Sequence, residues 1–168
     1  VALAEALLAH EDVEPIGLGA RDSLRLEGGL CLYGHDIDDT TSPIEGALNW
    51  AIQPVRRTGG ARAGGFPGAD TILQQFEVGA ANKRVGLLPE GRAPMREGVA
   101  LFAGPEGGEP IGKITSGGFG PSVGGPVAMG MLQGEHSAIG KTIYGELRGK
   151  RLALIVTKLP FIPANFKR

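Results

Sequence analysis

From Lys83 onward the chain repeats one pattern, a short apolar run followed by a turn signal. The runs are Arg84 to Leu88, Val99 to Phe102, Pro110 to Thr115, Val127 to Leu132, Thr142 to Leu147 and Leu152 to Leu159. Gly91, Gly104, Gly107-Gly108, Gly117-Gly118, Gly124-Gly125 and Gly149 punctuate them. Runs this short and evenly spaced, with little helical periodicity between them, predict antiparallel strands in a small sandwich or barrel. The chain holds 29 glycines in 168 residues. They follow no period, so a collagen-like chain is excluded and tight turns account for the excess.

Upstream the pattern is mixed. Val1 to Ala9 is rich in Ala and Leu and predicts the last turns of a helix. A second helix is expected over Ala20 to about Glu27, with Ala20, Leu24 and Gly28 on one face and Gly28-Gly29 as its stop. Leu30 to Tyr33 is apolar, and Gly34 to Thr41 is an acidic loop. Ser42-Pro43-Ile44-Glu45 carries a helix-start signature, with Ser42 as cap and Glu45 three residues on. Asn49 to Val55 has strand-like residues. Arg56 to Gly65, all Gly, small residues and positive charge, looks like a linker with little to bury. Ile72, Leu73 and Phe76 then recur at helical spacing.

Charge and composition exclude several classes. Lys plus Arg total 17 and Asp plus Glu 18, so no basic footprint for nucleic acid exists. No apolar run approaches the roughly 20 residues of a membrane-spanning helix. The start lacks an initiator Met and a charged-then-apolar leader, and it reads as a cut within a longer protein. Cys31, the sole cysteine, is flanked by Leu30 and Leu32 and is expected as a buried thiol in a reducing, intracellular protein.

Tempting motifs fail on spacing. Gly134 to Thr142 places five residues between its glycines where a phosphate loop needs four, so a β-turn is expected. Asp36, Asp38 and Asp39 beside His35 suggest calcium, yet the twelfth position from Asp36 is Ala47, not Glu. The cluster therefore reads as a solvated or helix-capping loop. His10, His35 and His136 lack zinc-ligand spacing. Tyr33 and Trp50 fit core positions or the walls of a site for a flat ligand.

The strings GLGARDSLRLE, LYGHDI and TSPIEGALNW lie between Gly17 and Trp50. RVGLLPEGRAPMREGVAL and IGKITSGGFGPSVGGPVAMG follow between Arg84 and Gly130, and KLPFIPANFKR closes the chain. Together they resemble the C-terminal part of the glycine cleavage T-protein family. The resemblance implies an α+β architecture: residues 1–57 as the tail of a large folate-binding domain, 58–80 as a linker with a short helix, and 81–168 as an antiparallel β-barrel domain. It implies an aminomethyltransferase that moves the aminomethyl carbon from lipoyl H-protein to tetrahydrofolate. The products are ammonia and 5,10-methylenetetrahydrofolate, and no metal is involved. Residues implied in folate or substrate binding are Arg21, Arg168 and Phe166. A guanidinium suits this task because it holds a carboxylate by paired hydrogen bonds. An ion pair of Arg21 with Asp22 or Glu27 is the competing reading. The family's essential Asp belongs to the N-terminal half, so no catalytic residue is expected here and the chain alone is expected to be inactive. Leu3, Leu7 and Leu8 are expected on an exposed surface that favours self-association. The family setting implies bacterial cytoplasm, or the mitochondrial matrix in a eukaryote, with the bacterial cytoplasm favoured. The alternatives are a non-catalytic folate-binding or interaction module of the same superfamily, like the folate domains of dimethylglycine and sarcosine dehydrogenases, and a structural barrel that docks on a partner.

Overall fold

The computed structural model describes residues 1–165. The expected strands form: β1 (Asn82–Pro89), β2 (Ala100–Phe102), β3 (Pro110–Gly120), β4 (Gly125–Gln133), β5 (Thr142–Leu147) and β6 (Lys150–Thr157). They close into an antiparallel barrel in the order β1-β4-β3-β2-β5-β6, with β6 returning to β1. Closure leaves no free sheet edge among these strands. Where a β-turn is expected, a 3-10 turn (Gly134–His136) and a loop up to Lys141 join β4 to β5.

Inside the barrel, Val85, Leu87, Leu101, Ile114, Leu132, Ile143, Leu154 and Val156 form one apolar cluster. Met95, from the β1–β2 connection, completes it and is fully buried. Two strand glycines make room for Met95. A Cβ on Gly117 would strike the Met95 carbonyl oxygen, and one on Gly145 would strike its sulfur. Here glycine serves close approach rather than turning.

Of the segment before the barrel, the second helix and the loop after it pack on the outer face. α1 (Ala2–Leu8) buries none of its residues, and Leu3, Leu7 and Leu8 are exposed as expected. α2 (Leu18–Glu27) packs on β3 and β4. It ends where Gly29 takes a positive φ of 65° and Leu30 N–H returns to the Arg25 carbonyl. Its inward face differs from expectation: Leu26 and Glu27 are buried while Leu24 is 61% exposed. The helix docks through Arg25, Leu26 and Glu27, so an apolar-stripe argument picks the wrong side. Leu26 meets Val127 and Met129 on the barrel exterior, and Leu88, Leu159 and Phe161 pack around them.

One local expectation forms as read and two are corrected. The Ser42/Glu45 capping pair forms, with Glu45 N–H to Ser42 Oγ at 3.1 Å and Ser42 N–H to Glu45 Oε2 at 3.0 Å. The short element after it is a turn, which ends where Ala47 takes a positive φ of 54°. Asn49 to Val55 is not a strand: Asn49–Ala51 and Pro54–Arg56 are 3-10 turns, the second started by its proline. The Arg56 to Gly65 segment is not a bare linker. Arg57 donates from Nε to Ile52 O and from Nη2 to Asn49 O, both at 2.9 Å, and lies 4.8 Å from the Phe76 ring centroid. Arg56 closes a turn onto Gly64 O at 3.0 Å. The long stems and charges of these arginines do the stapling that apolar residues would do elsewhere. α3 (Ala69–Val78) follows, with Ile72 buried. Among the described residues, no helix is long and apolar enough to cross a membrane.

Candidate functional site

The polar centre of the molecule is Asp36, which the sequence places in a solvated loop. The structure overturns that expectation: its side chain has no solvent exposure. Four donors converge on it. Oδ2 accepts from Arg25 Nη1, from Leu32 N–H and from Ser116 Oγ, each at 2.9 Å. Oδ1 accepts from Thr115 Oγ1 at 2.6 Å. Arg25 also donates to Ser116 Oγ at 2.8 Å. A buried carboxylate is tolerable only with such a complete set of partners.

The local backbone explains how two consecutive hydroxyls reach one carboxylate. Ordinary strand alternation sends neighbours to opposite faces. In β3 the register with β4 shifts between Ile114 and Ser116. The extra residue of this bulge turns Thr115 and Ser116 toward the same partner.

Two further clamps flank the first. The buried Glu27 carboxylate accepts from Ser122 N–H (2.7 Å), Val123 N–H (2.9 Å) and Ser122 Oγ (3.1 Å), gripping the β3–β4 turn. Arg84 on β1 is buried and donates from Nε to Gly46 O at 2.9 Å and from Nη1 to Gly29 O at 3.0 Å. Thus α2 and the loop after it are fixed to the barrel at both ends by charged groups.

Cavities lie on either side of the Arg25–Asp36 pair. One of about 240 Å³ is lined by His35, Asp36, Asp38, Thr40, Lys113 and Thr115. The other, about 370 Å³, is lined by Asp22, Ser23, Arg25, Arg96 and Phe119. Arg25 Nε is buried and has no hydrogen-bond partner among the described residues. At the rim, the His35 ring and Glu97 carboxylate lie 2.7 Å apart. The Asp38 carboxyl is held below the usual carboxylate range, first by the Thr40 hydroxyl at 2.6 Å and then by Thr40 N–H and the Thr41 hydroxyl.

Of the site residues expected from sequence, only Arg21 lies among the described residues. Arg21 lies one helical turn before Arg25, its side chain 57% exposed and 3.5 Å from Asp22. Phe166 and Arg168 lie outside the described residues. Tyr33 and Trp50 do not join the core; they are 69% and 77% exposed. Cys31 is only half-buried, and burial pushes its thiol up despite the opposing charge of Arg84.

Two family models match in sequence order. Residues 2–56 match the GCVT N-terminal domain, and residues 82–162 match the glycine cleavage T-protein C-terminal barrel domain. The chain belongs to the glycine cleavage T-protein family. It is 48% identical to the mitochondrial aminomethyltransferase of Gallus gallus over 99% of this chain and 41% of that protein. It is 45% identical to the corresponding human protein over 99% of this chain and 40% of that one. The crystal structure of glycine cleavage system aminomethyltransferase T from Bartonella henselae superposes with a TM-score of 0.84 at 49% identity. That match covers 96% of this chain and 43% of the solved chain. The chain therefore spans about two-fifths of the length of these relatives. The Asp36 cluster takes Arg25, Leu32 and Asp36 from the segment matched by the first family model, and Thr115 and Ser116 from the second.

Proposed function

We propose that this chain is the C-terminal part of a tetrahydrofolate-dependent aminomethyltransferase. It would supply the tail of the folate-binding domain, about residues 1–57, and the C-terminal barrel, about 81–168. Acting with the remainder of such a protein, it would help take the aminomethyl carbon from lipoyl H-protein to tetrahydrofolate. The observation that carries this reading is the near-complete coverage of the chain by proteins named aminomethyltransferase, at 45 to 48% identity.

In this reading the barrel is a buttress rather than a reaction centre. The carboxylates at its junction with α2, Asp36 and Glu27, are committed to structural donors. A general acid or base needs free reach to a reacting proton, and neither has it. The group that assists folate attack is therefore assigned to the N-terminal part, and the chain alone has no turnover. Arg21 is the residue proposed to serve folate. It sits on a helix whose outer positions Leu18 and Leu24 are 70% and 61% exposed, a surface suited to covering by the rest of the protein. Arg168 and Phe166 are proposed as further contacts from the C-terminal tail.

The test is an ammonia-release assay with aminomethyl-loaded H-protein and tetrahydrofolate. The 168-residue chain should give none. A hybrid in which this chain replaces the matching part of the Bartonella henselae protein should turn over. Arg21→Ala in that hybrid should raise KM for tetrahydrofolate by roughly tenfold, the scale of one lost charge-assisted contact. Turnover by the chain alone, or a folded but inactive hybrid, refutes the proposal.

A further inference from the structure

Away from the Asp36 cluster, a second group of titratable side chains gathers in the loop between β4 and β5. Lys141 Nζ lies 2.9 Å from His136 Nδ1 and donates to the Glu135 carbonyl at 3.2 Å. An ammonium has donors and no acceptor, so Nδ1 is the accepting nitrogen and the ring proton sits on Nε2. That nitrogen lies 3.3 Å from Glu135 Oε1. The three side chains thus stand in a row: an amine, an imidazole turning its lone pair to it, and a carboxylate beyond.

Local structure holds the row in place. Gly140 N–H donates to Val156 O at 2.8 Å and Val156 N–H to Lys141 O at 2.9 Å, which ties the end of the loop to β6. Ser137 Oγ closes the preceding turn on Gly134 O at 2.7 Å. The His136 side chain is only 16% exposed. Lys141 takes part in no ion pair among the described residues, so no carboxylate holds its ammonium. Lys83, Lys113, Lys150 and Lys158 are exposed, and among the described residues Lys141 alone of the lysines is bonded to an imidazole.

A nucleophile beside a base that a third group steadies is the arrangement that activates side chains for acyl transfer. We infer that Lys141 is an acylation site that takes its acyl group from small thioesters. The reaction begins when the ammonium loses one proton to solvent. Neutral Nζ then attacks the thioester carbonyl carbon, forming the N–C bond. His136 Nδ1 takes the extra proton from the attacking nitrogen, and the Glu135 carboxylate steadies the imidazolium. The C–S bond breaks, and the departing thiolate recovers that proton. The products are an acyl-lysine and a free thiol. The base singles out thioesters. An amine and an alkyl thiolate are of comparable basicity, so the adduct falls back to reactants unless the nitrogen is deprotonated in time. The inference goes beyond the proposed transferase reading and does not rest on it.

The test treats the 168-residue chain with limiting S-acetyl-N-acetylcysteamine, a small acetyl thioester, and reads acetylation at each lysine by peptide mass spectrometry. A positioned base is worth roughly 10²-fold or more in enzyme sites, so at this open loop Lys141 should lead Lys83, Lys113, Lys150 and Lys158 by at least about tenfold. His136→Gln should bring Lys141 down to the rate of those lysines and leave theirs unchanged, in a variant whose circular dichroism matches that of the parent chain. The N-hydroxysuccinimide ester of acetate, run in parallel on the parent chain, expels its leaving group without help from a base. It reads access alone, and the lead of Lys141 should disappear with it. A Lys141 no faster than the exposed lysines towards the thioester overturns the inference. So does an equal lead with both reagents, which assigns the preference to access, and so does an unchanged lead in folded His136→Gln.

Discussion

Replacing Asp36 by Ala tests whether the buried carboxylate holds the two segments together. The substitution removes both oxygens and leaves Arg25 Nη1, Leu32 N–H and two hydroxyls without their acceptor. Thr115 keeps an alternative in the Met129 carbonyl at 3.2 Å, so its loss is partial. The Arg25 side chain is only 15% exposed and becomes a cation without a carboxylate. Breaking a buried pair in this way costs about 3–5 kcal/mol. The orphaned Leu32 N–H would add about 1–3 kcal/mol, but the adjoining 240 Å³ cavity admits water and offsets much of that. The expected total is about 3–5 kcal/mol, a large part of the roughly 5–15 kcal/mol of a typical fold. Tm should fall by roughly 6–20 °C, at about 2–4 °C per kcal/mol for this size. Urea unfolding followed by circular dichroism is the suitable assay; Trp50 is exposed and its fluorescence would report little. A second variant, Arg25→Met with Asp36→Ala, removes the stranded charge and should recover at least about 1 kcal/mol relative to the sum of the single changes. A cost below about 1 kcal/mol for Asp36→Ala, or strict additivity in the double variant, would refute the reasoning.

Other outcomes follow from the same contacts. Glu27→Ala should cost about 1–3 kcal/mol and speed hydrogen exchange at Ser122 and Val123, whose amides it receives; unchanged exchange at both would show that the turn holds itself. Gly117→Ala should destabilise by about 3 kcal/mol or more, because the new methyl meets the Met95 carbonyl, and a near-neutral unfolding curve would mean that Met95 is free to move. Cys31 should react with iodoacetamide more slowly than free cysteine at pH 8, with a rate that keeps rising above the usual thiol range. Its thiol is pushed up by burial, so the reactive thiolate is scarce; a rate matching free cysteine would contradict this.

The barrel was legible because its information is local. Apolar alternation and turn glycines sit within a few residues of each other, and each strand declares itself. The capping pair of Ser42 and Glu45 was legible for the same reason, as both partners lie in one turn. Asp36 was not legible, because its acceptor role depends on Thr115 and Ser116, about 80 residues away, and on a bulge that aims both hydroxyls at it. In sequence, a lone buried carboxylate and a solvated one look alike; the difference lies in donors supplied by the fold. The orientation of α2 differs from expectation for a related reason, since Arg25 and Glu27 flank Leu26 on its docking side while the leucines at 18 and 24 face outward.

The two arginines of α2 show how structure and proposed function connect. The family resemblance points to Arg21, whereas the buried contacts belong to Arg25. Positions four apart on a helix differ by only about 40° around its axis, so fixing one fixes the heading of the other. The Asp36 clamp sets Arg25 against β3, and Glu27 grips the β3–β4 turn at the helix end. With rotation and slide both restrained, Arg21 leaves the barrel surface in one direction, limited only by its own rotamers. A preorganised guanidinium binds without spending freedom on its backbone. In the proposed function, the carboxylates of this chain thus act by setting the heading of Arg21.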